Sequence, residues 1–249
     1  MPELTDVEIN GLQKIGGIVG TVLQEMIQAV RSGLTTKELD LFGQSRLQFY
    51  GARSAPILSY HFPGSTCISV NEEAAHGIPG SRVIQPGDMV NIDVSAELDG
   101  FFADTGASVP IPPVLPEDQR LCDCTRAALE KAIAAARAGN PLNAIGKAVE
   151  GEATRCGYHV ISAVNGHGVG HSLHDEPHFI PNYFNSHDKR MLTEGMVIAI
   201  EPFLTSGNGQ VVNADDGWTI RTADGKRIAQ YEQSLIITRV KPIILTVSQ

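Results

Sequence analysis

The sequence predicts an α/β fold of the α+β kind, in which two similar halves each place a pair of helices before apolar strands. Two observations predict it. Apolar residues recur at helical spacing in two pairs of segments. Residues near the ends of these segments also correspond at a constant offset of 106 positions. The corresponding pairs are Arg31 with Arg137, Gly33 with Gly139, Leu39 with Ile145, and Gly51 with Gly157. An internal duplication of one helix-helix-sheet unit explains both observations.

Four helices are predicted from their start and stop signals. Two of them begin with a threonine followed three residues later by a glutamate, which is the pattern of a capping box. Glycines mark the ends, because a helix often stops at a residue with a left-handed backbone. The predicted helices run from Thr5 to Gly33, from Thr35 to Gly51, from Pro116 to Gly139, and from near Asn143 to Gly157.

In each half an apolar strand follows the helices and ends in a carboxylate, Asp93 in the first half and Glu201 in the second. The first strand continues into a hairpin, because Asp99-Gly100 is a strong signal for a two-residue turn. That register places Asp93 diagonal to Asp104 on one face, where two carboxylates repel unless a proton or a cation lies between them. The alternative is a pair of solvated aspartates on an exposed sheet.

Composition excludes several classes of function. The chain has 249 residues, of which 42% are hydrophobic, and 19 Lys and Arg against 28 Asp and Glu give a net charge of −9. That charge disfavours binding to nucleic acid or to an anionic membrane. The first residues lack a leader pattern and no long apolar run occurs, so we expect a cytoplasmic protein. The four cysteines have no zinc-site spacing and are expected to be reduced thiols.

Further candidate ligands lie in the second half. His167 belongs to the segment Gly166–Pro177, whose three glycines in five residues exclude a helix, so we expect a tight loop there. Glu201 ends a buried apolar run and Glu232 precedes another, and a buried carboxylate is costly unless it is protonated or faces a cation. Four carboxylates and one imidazole suit two divalent ions of Co, Mn, Fe or Zn, a pair that supports hydrolysis. A serine or cysteine nucleophile has no supporting motif.

Six blocks of sequence resemble the type I methionine aminopeptidases, a family of the pita-bread fold that also includes aminopeptidase P, prolidase and creatinase. The blocks are CISVNEEAAHGIPG from Cys67, NIDVSAELDGFFADT from Asn91, GHGVGHSLHDEP from Gly166, IEPF from Ile200, GWTIRT from Gly217 and QYEQS from Gln230. The resemblance covers nearly the whole chain. It implies one catalytic domain over residues 1–249, with a curved, mainly antiparallel sheet and pseudo-repeat halves of about 1–112 and 113–249.

The resemblance also implies a role for each candidate ligand. Asp93 would bind one ion, His167 and Glu201 the other, and Asp104 and Glu232 would bridge the two ions.

It implies further that His76 and His174 contact the substrate beside the scissile peptide, with Glu201 carrying a proton to the departing amine. The pocket for the first side chain would include Cys67, Phe62, Ser59, Leu173 and Trp218. Counting back from Cys67 places Pro56, Ser59 and Phe62 where bacterial members commonly have a cysteine and two tyrosines. Leu173 stands where phenylalanine is frequent, and Gln233 where histidine is usual. These departures predict an altered preference for methionine, as in a divergent paralogue.

The implied function is a dinuclear, metal-dependent aminopeptidase that removes the initiator methionine of nascent chains, with a hydroxide held by the metals attacking the first peptide bond. The partners would be nascent peptides, including those at the ribosome, and the protein would be a monomer with no nucleic-acid or membrane partner. Two alternatives stay open. One is an aminopeptidase or X-Pro peptidase of the same fold with another first-residue preference. The other is a pita-bread binding protein without catalysis.

Overall fold

Residues 4–248, which the computed structural model describes, form five helices and fifteen strands. The helices are α1 Asp6–Ala29, α2 Thr36–Phe49, α3 Ala55–Tyr60, α4 Pro116–Ala135 and α5 Asn143–Cys156. The strands are β1 Arg53–Ser54, β2 Cys67–Val70, β3 Glu73–Ala75, β4 Met89–Leu98, β5 Phe101–Pro110, β6 His159–Val160, β7 Gly166–Gly168, β8 Asp175–Ile180, β9 Val197–Ile200, β10 Phe203–Thr205, β11 Val211–Asn213, β12 Ile220–Thr222, β13 Ile228–Gln230, β14 Gln233–Ile236 and β15 Ile243–Ile244. All four predicted helices are present. α3, a single short turn of helix, was not predicted.

The two predicted capping boxes are confirmed. The Thr5 side chain accepts a hydrogen bond from the backbone N–H of Glu8, whose carboxylate in turn accepts from the Thr5 N–H at 2.7 Å. Thr35 and Glu38 repeat this arrangement at the start of α2. Each box satisfies backbone donors that the first turn of a helix leaves unpaired, so it fixes where the helix begins.

Two larger sheets carry the fold, and all of their strand pairs are antiparallel. One has the order β1-β4-β2 with β5 also paired to β4, and the other has the order β15-β14-β9-β7-β8. α1 and α2 cover one face of the first sheet, where they bury Ile92 and Val94 of β4. α4 and α5 pack on the second and bury Ile198 and Leu235. Each half therefore has its own main core, in agreement with the pita-bread assignment.

The two halves share details of backbone structure. Gly33 and Gly139 follow the first helix of each half with φ of 91° and 89°, in the left-handed region that favours glycine. The Gly33 N–H donates to the carbonyl of Ile84 at 2.9 Å, and the Gly139 N–H donates to that of Leu192 at the same distance. The same contact thus recurs about one repeat length further along the chain, which supports an internal duplication.

The expectation of a tight loop from Gly166 is wrong for its first three residues, which form β7, a strand between β9 and β8 in the second sheet. Glycine is needed there because the neighbouring backbone lies very close. A Cβ at Gly166 would lie 2.4 Å from the Ala199 carbonyl oxygen, and one at Gly168 would lie 2.3 Å from that of Glu176. The glycines thus allow close strand packing here. The turn follows only after β7.

None of the helices between residues 4 and 248 has the length and apolar character needed to cross a membrane.

Candidate metal centre

The hairpin of β4 and β5 places two aspartates as the sequence predicts. Asp99 and Gly100 form its turn with φ of 56° and 87°, and Ser95 lies opposite Asp104. Asp93 lies two residues before Ser95 on the same face, so the two aspartates are diagonal neighbours. Both carboxylates point into the same buried site.

The second sheet supplies an imidazole and a third carboxylate. His167 lies on β7 and Glu201 directly follows β9, the neighbouring strand. The His167 Nε2 atom lies 3.5 Å from Glu201 Oε1 and 3.8 Å from Asp104 Oδ2. Its Nδ1 atom donates to the Gly168 carbonyl at 2.8 Å. Burial lowers the pKa of His167 to about 3, and the charge of His174 contributes less to this shift. The ring is therefore neutral, and its Nε2 lone pair faces the carboxylates.

Glu232 comes from the seam between the halves, where the segment joining β13 to β14 runs beside β5. The Glu232 N–H donates to the Gly106 carbonyl at 2.9 Å. The Glu232 Oε2 atom accepts from Gln230 Nε2 at 3.0 Å, and Gln230 Oε1 accepts from Asn91 Nδ2 at 2.7 Å. Gly106 leaves room for this chain of contacts, because a Cβ there would lie 2.5 Å from Gln230 Oε1. Sequence reasoning missed Asn91 and Gln230 as positioning residues, although both lie in the quoted blocks.

These four carboxylates are unfavourable in their charged form unless positive charge compensates them. Desolvation by burial raises the pKa of Asp93, Glu201 and Glu232 well above the ordinary range, with the other carboxylates adding to the effect, and raises that of Asp104 to about 6. Across residues 4–248, no lysine or arginine pairs with any of the four, and the basic ring close to Asp104 and Glu201, that of His167, is neutral.

Unsatisfied oxygen atoms also indicate that a ligand belongs here. Asp93 Oδ1, Asp104 Oδ1 and Glu232 Oε1 are buried and have no hydrogen-bond partner in the described part of the chain. One atom each from Asp104, His167 and Glu232 lies within 4.8 Å of the others. Oxygen donors with one imidazole nitrogen are the ligands that divalent transition metals bind. The residues present therefore fit a metal.

A cavity of about 240 Å³ opens onto this cluster. Most of the residues predicted to meet the substrate line it, namely His76, His174, Cys67, Phe62, Leu173 and Trp218. Pro56, Tyr60 and Ser95 line it as well. The Phe62 and Trp218 rings meet edge to face with centroids 5.2 Å apart. The cavity thus joins a largely apolar wall to an acidic floor.

The placement of Ser59 in this pocket is wrong. Ser59 is exposed on α3 and does not line the cavity, whereas Tyr60, the next residue, does. Neighbouring residues of a helix point about 100° apart, and here it is Tyr60 that faces the cavity. The chain then turns at His61, whose φ is 56°, and brings Phe62 into the wall. A tyrosine therefore does line the pocket, at Tyr60 rather than at the neighbouring position Ser59.

Two histidines lie beside the carboxylates and face the open cavity. The His174 ring lies 4.2 Å from the His167 ring between centroids, and its Nδ1 atom lies 2.7 Å from the Tyr60 hydroxyl. Desolvation lowers the pKa of His174 to about 4 and also lowers that of His76. Both rings are neutral at pH 7, so each has one nitrogen that donates and one that accepts.

Comparisons with known proteins agree with this site. The model of metallopeptidase family M24 matches residues 10–239. Methionine aminopeptidase 2 of Bacillus subtilis is 46% identical over 242 residues, which is 97% of each chain. The crystal structure of methionine aminopeptidase from Thermotoga maritima has a TM-score of 0.94 at 33% identity and covers 98% of each chain. That from Rickettsia prowazekii has a TM-score of 0.95 at 32% identity, over 99% of this chain and all of its own. The chain therefore belongs to metallopeptidase family M24, among its methionine aminopeptidases.

Proposed function

We propose that this protein is a metal-dependent aminopeptidase that removes the N-terminal methionine of peptides and nascent proteins. One observation carries the proposal. A buried cluster of four carboxylates and one imidazole lies beside an apolar cavity of about 240 Å³. The cluster provides the hydrolytic site. The cavity provides a place for one apolar side chain next to it, as an exopeptidase requires.

Two divalent ions, of Co, Mn, Fe or Zn, would be held by the predicted ligands. Asp93 would bind one ion, His167 and Glu201 the other, and Asp104 and Glu232 would bridge them. Bound divalent ions supply Lewis acidity, which polarises a carbonyl and lowers the pKa of water towards neutrality. The three orphaned carboxylate oxygens support this assignment, since each would gain a partner in bound ions.

The protein's own groups orient the substrate. Phe62, Leu173, Cys67 and Trp218 would surround the methionine side chain and exclude water from it. Burying such an apolar side chain contributes roughly 1.5–3 kcal/mol to binding. The substrate's first peptide bond would then lie above the carboxylates, within reach of His76 and His174.

We infer that Tyr60 selects which nitrogen of His174 can donate to the substrate. When the Tyr60 hydroxyl donates to Nδ1 at 2.7 Å, the ring proton lies on Nε2. An Nε2–H group can donate to the oxygen that gains negative charge as the peptide carbonyl is attacked. Glu201, whose pKa burial raises, would accept a proton and deliver it to the departing amine.

A second cavity leaves room for the remainder of the peptide. It has a volume of about 240 Å³ and shares His76, His167, His174 and Glu201 with the first, but opens past Phe179 and Phe203. The shared residues thus lie between the two cavities, where the scissile bond would be.

Peptidase assays test the proposal. Protein stripped by a chelator should not cleave a Met-Ala-Ser peptide, and Mn, Co or Fe should restore cleavage. A panel that varies the first two residues should show a requirement for methionine first and a small residue second. Failure with all three metals would contradict the proposal. Preference for proline in second place with methionine ignored would instead indicate an X-Pro peptidase.

We further propose that residues 1–249 form one catalytic domain, with halves of about 1–112 and 113–249, that works as a cytoplasmic monomer on nascent chains at the ribosome. The net charge of −9 supports the absence of direct nucleic-acid binding. Size-exclusion chromatography with light scattering tests the monomer, and a dimer mass would contradict it.

A further inference from the structure

A pair of cysteines in the second half lies outside the proposed metal site. Cys124 lies on α4, and Cys156 is the last residue of α5, which packs against α4. Their sulfur atoms lie within 4.8 Å of each other. Neither lines the cavity above the carboxylates. From this geometry we infer that Cys124 and Cys156 are a redox site, at which a disulfide oxidant reversibly cross-links α4 to α5.

The two thiols lie against the same turn of α5. The Cys124 sulfur lies 3.7 Å from the Glu152 carbonyl oxygen, and the Cys156 sulfur lies 3.9 Å from Glu152 Oε1. The sulfurs already lie within 4.8 Å of each other, and a disulfide brings them to about 2.05 Å. Cys156 ends the helix and precedes Gly157, where the backbone leaves helical geometry at φ 78°.

Exposure and charge give the two sulfurs different roles. Cys124 is buried, whereas Cys156 is half-buried and within reach of a small molecule. Arg155 Nη2 lies 3.5 Å from the Cys156 sulfur and offers positive charge to it as it reacts. Burial raises the pKa of Cys124 above the ordinary range. Cys156 is therefore the residue that reacts first, and Cys124 completes the disulfide.

Glu152 makes a metal site here a poorer explanation than a disulfide. Its two carboxylate oxygens already accept hydrogen bonds from Lys131 and from Arg155, the latter at 2.9 and 2.5 Å. Both oxygens are thus neutralised by cations, which would repel a metal ion. The two neighbouring thiols are left as the reactive pair, and oxidation to a disulfide is the chemistry that they share.

The reaction balances with a low-molecular-weight disulfide as the oxidant. The Cys156 thiol loses its proton and its sulfur attacks one sulfur of the oxidant, which breaks the oxidant's S–S bond and releases one thiol. The Cys124 thiol then loses its proton and its sulfur attacks the Cys156 sulfur, which breaks the mixed disulfide and releases the second thiol. Two protein thiols are oxidised and one oxidant disulfide is reduced.

Mapping of thiols tests the inference on the full-length, metal-loaded protein. After treatment with oxidised glutathione, free thiols are alkylated and the protein is digested with trypsin without reduction. We expect a cross-link between the peptide 121–126 and the peptide that begins at Cys156, two fewer alkylated thiols, and full reversal by dithiothreitol. Alkylation of both Cys124 and Cys156 after oxidation would overturn the inference, and so would glutathione retained on Cys156.

Variants identify the pair, because peptide 121–126 also contains Cys122. Cys124→Ser and Cys156→Ser should each abolish the cross-link, while the matched control Cys122→Ser should retain it. A cross-link that persists in Cys124→Ser would overturn the assignment. In the wild type the melting temperature should rise on oxidation by at least about 4 °C, because the cross-link restricts the unfolded chain. Cys156→Ser should show no such rise, and a fall in the wild type would contradict a cross-link formed without distortion.

Discussion

Replacing Asp104 by asparagine should change stability and activity in opposite directions. In the metal-free protein Asp104 is buried among Asp93, Glu201 and Glu232, and desolvation raises its pKa from 3.8 to about 6. Below pH 3.8 it is protonated in both the folded and the unfolded chain. Between pH 3.8 and about 6 the unfolded chain ionises more readily, so the folded state loses stability as the pH rises.

The difference between these pKa values corresponds to about 3 kcal/mol of lost stability at pH 7. Asparagine has the same shape and no charge, and it can donate hydrogen bonds to the remaining carboxylates. Since those carboxylates readjust their own protonation, we expect a gain of about 1–3 kcal/mol for metal-free Asp104→Asn at pH 7.5. For a chain of this length the gain corresponds to a rise in melting temperature of roughly 2–12 °C.

The assay is thermal and urea unfolding of chelator-treated protein at several pH values, together with peptidase activity after metal is returned. The gain should shrink as the pH falls from 7 towards 4, and activity with metal should fall by at least about a hundredfold because Asp104 is one of the proposed bridging ligands. Asp40→Asn is the matched control. Asp40 is another buried aspartate, but it accepts hydrogen bonds from Ser65 and Thr66, so its replacement should lower stability with or without metal. The reasoning is refuted if metal-free Asp104→Asn is less stable than the wild type, or if its gain does not depend on pH.

Three further predictions concern metal binding, the histidine and the glycines. Adding Mn should raise the melting temperature of the wild type, and by more at pH 8 than at pH 6, because the carboxyl groups must lose their protons to bind it; a constant rise would argue against these ligands. Tyr60→Phe should lower kcat/KM about tenfold with little change in melting temperature, since His174 loses its partner; unchanged kinetics would exclude the positioning role. Gly168→Ala should cost at least about 2 kcal/mol in urea unfolding, because its Cβ would lie 2.3 Å from the Glu176 carbonyl oxygen. Gly151→Ala, in open space on α5, should instead stabilise by up to about 1 kcal/mol, and equal effects of the two would contradict the packing argument.

Rules based on neighbouring residues predicted the structure correctly where one local conformation is much more stable than its alternatives. Thr5 and Thr35 begin helices because each meets a glutamate three residues on, and Asp99-Gly100 fixes the register that places Asp104 opposite Ser95. These signals depend on residues close together in sequence. For this reason the four longer helices, the hairpin and the diagonal aspartates could be predicted, whereas the short α3 was not.

The errors arose where distant contacts or single-residue register decide the outcome. Gly166 and Gly168 suggested a loop, but they allow a strand to pack closely between two neighbours that the sequence does not identify. Counting back from Cys67 selected Ser59, because nothing local shows that α3 turns Tyr60 towards the cavity. Asn91 and Gln230 acquire their role only through the seam between the halves, and they lie 139 positions apart.

That seam has a consequence for how the protein holds together. Asp93 and Asp104 come from the first half, and His167, Glu201 and Glu232 from the second, so neither half offers a full set of donors alone. The free energy of cation binding therefore also stabilises the association of the two halves. Without the cation, we expect the contacts between the two halves to weaken first, before either helix-covered core is disturbed.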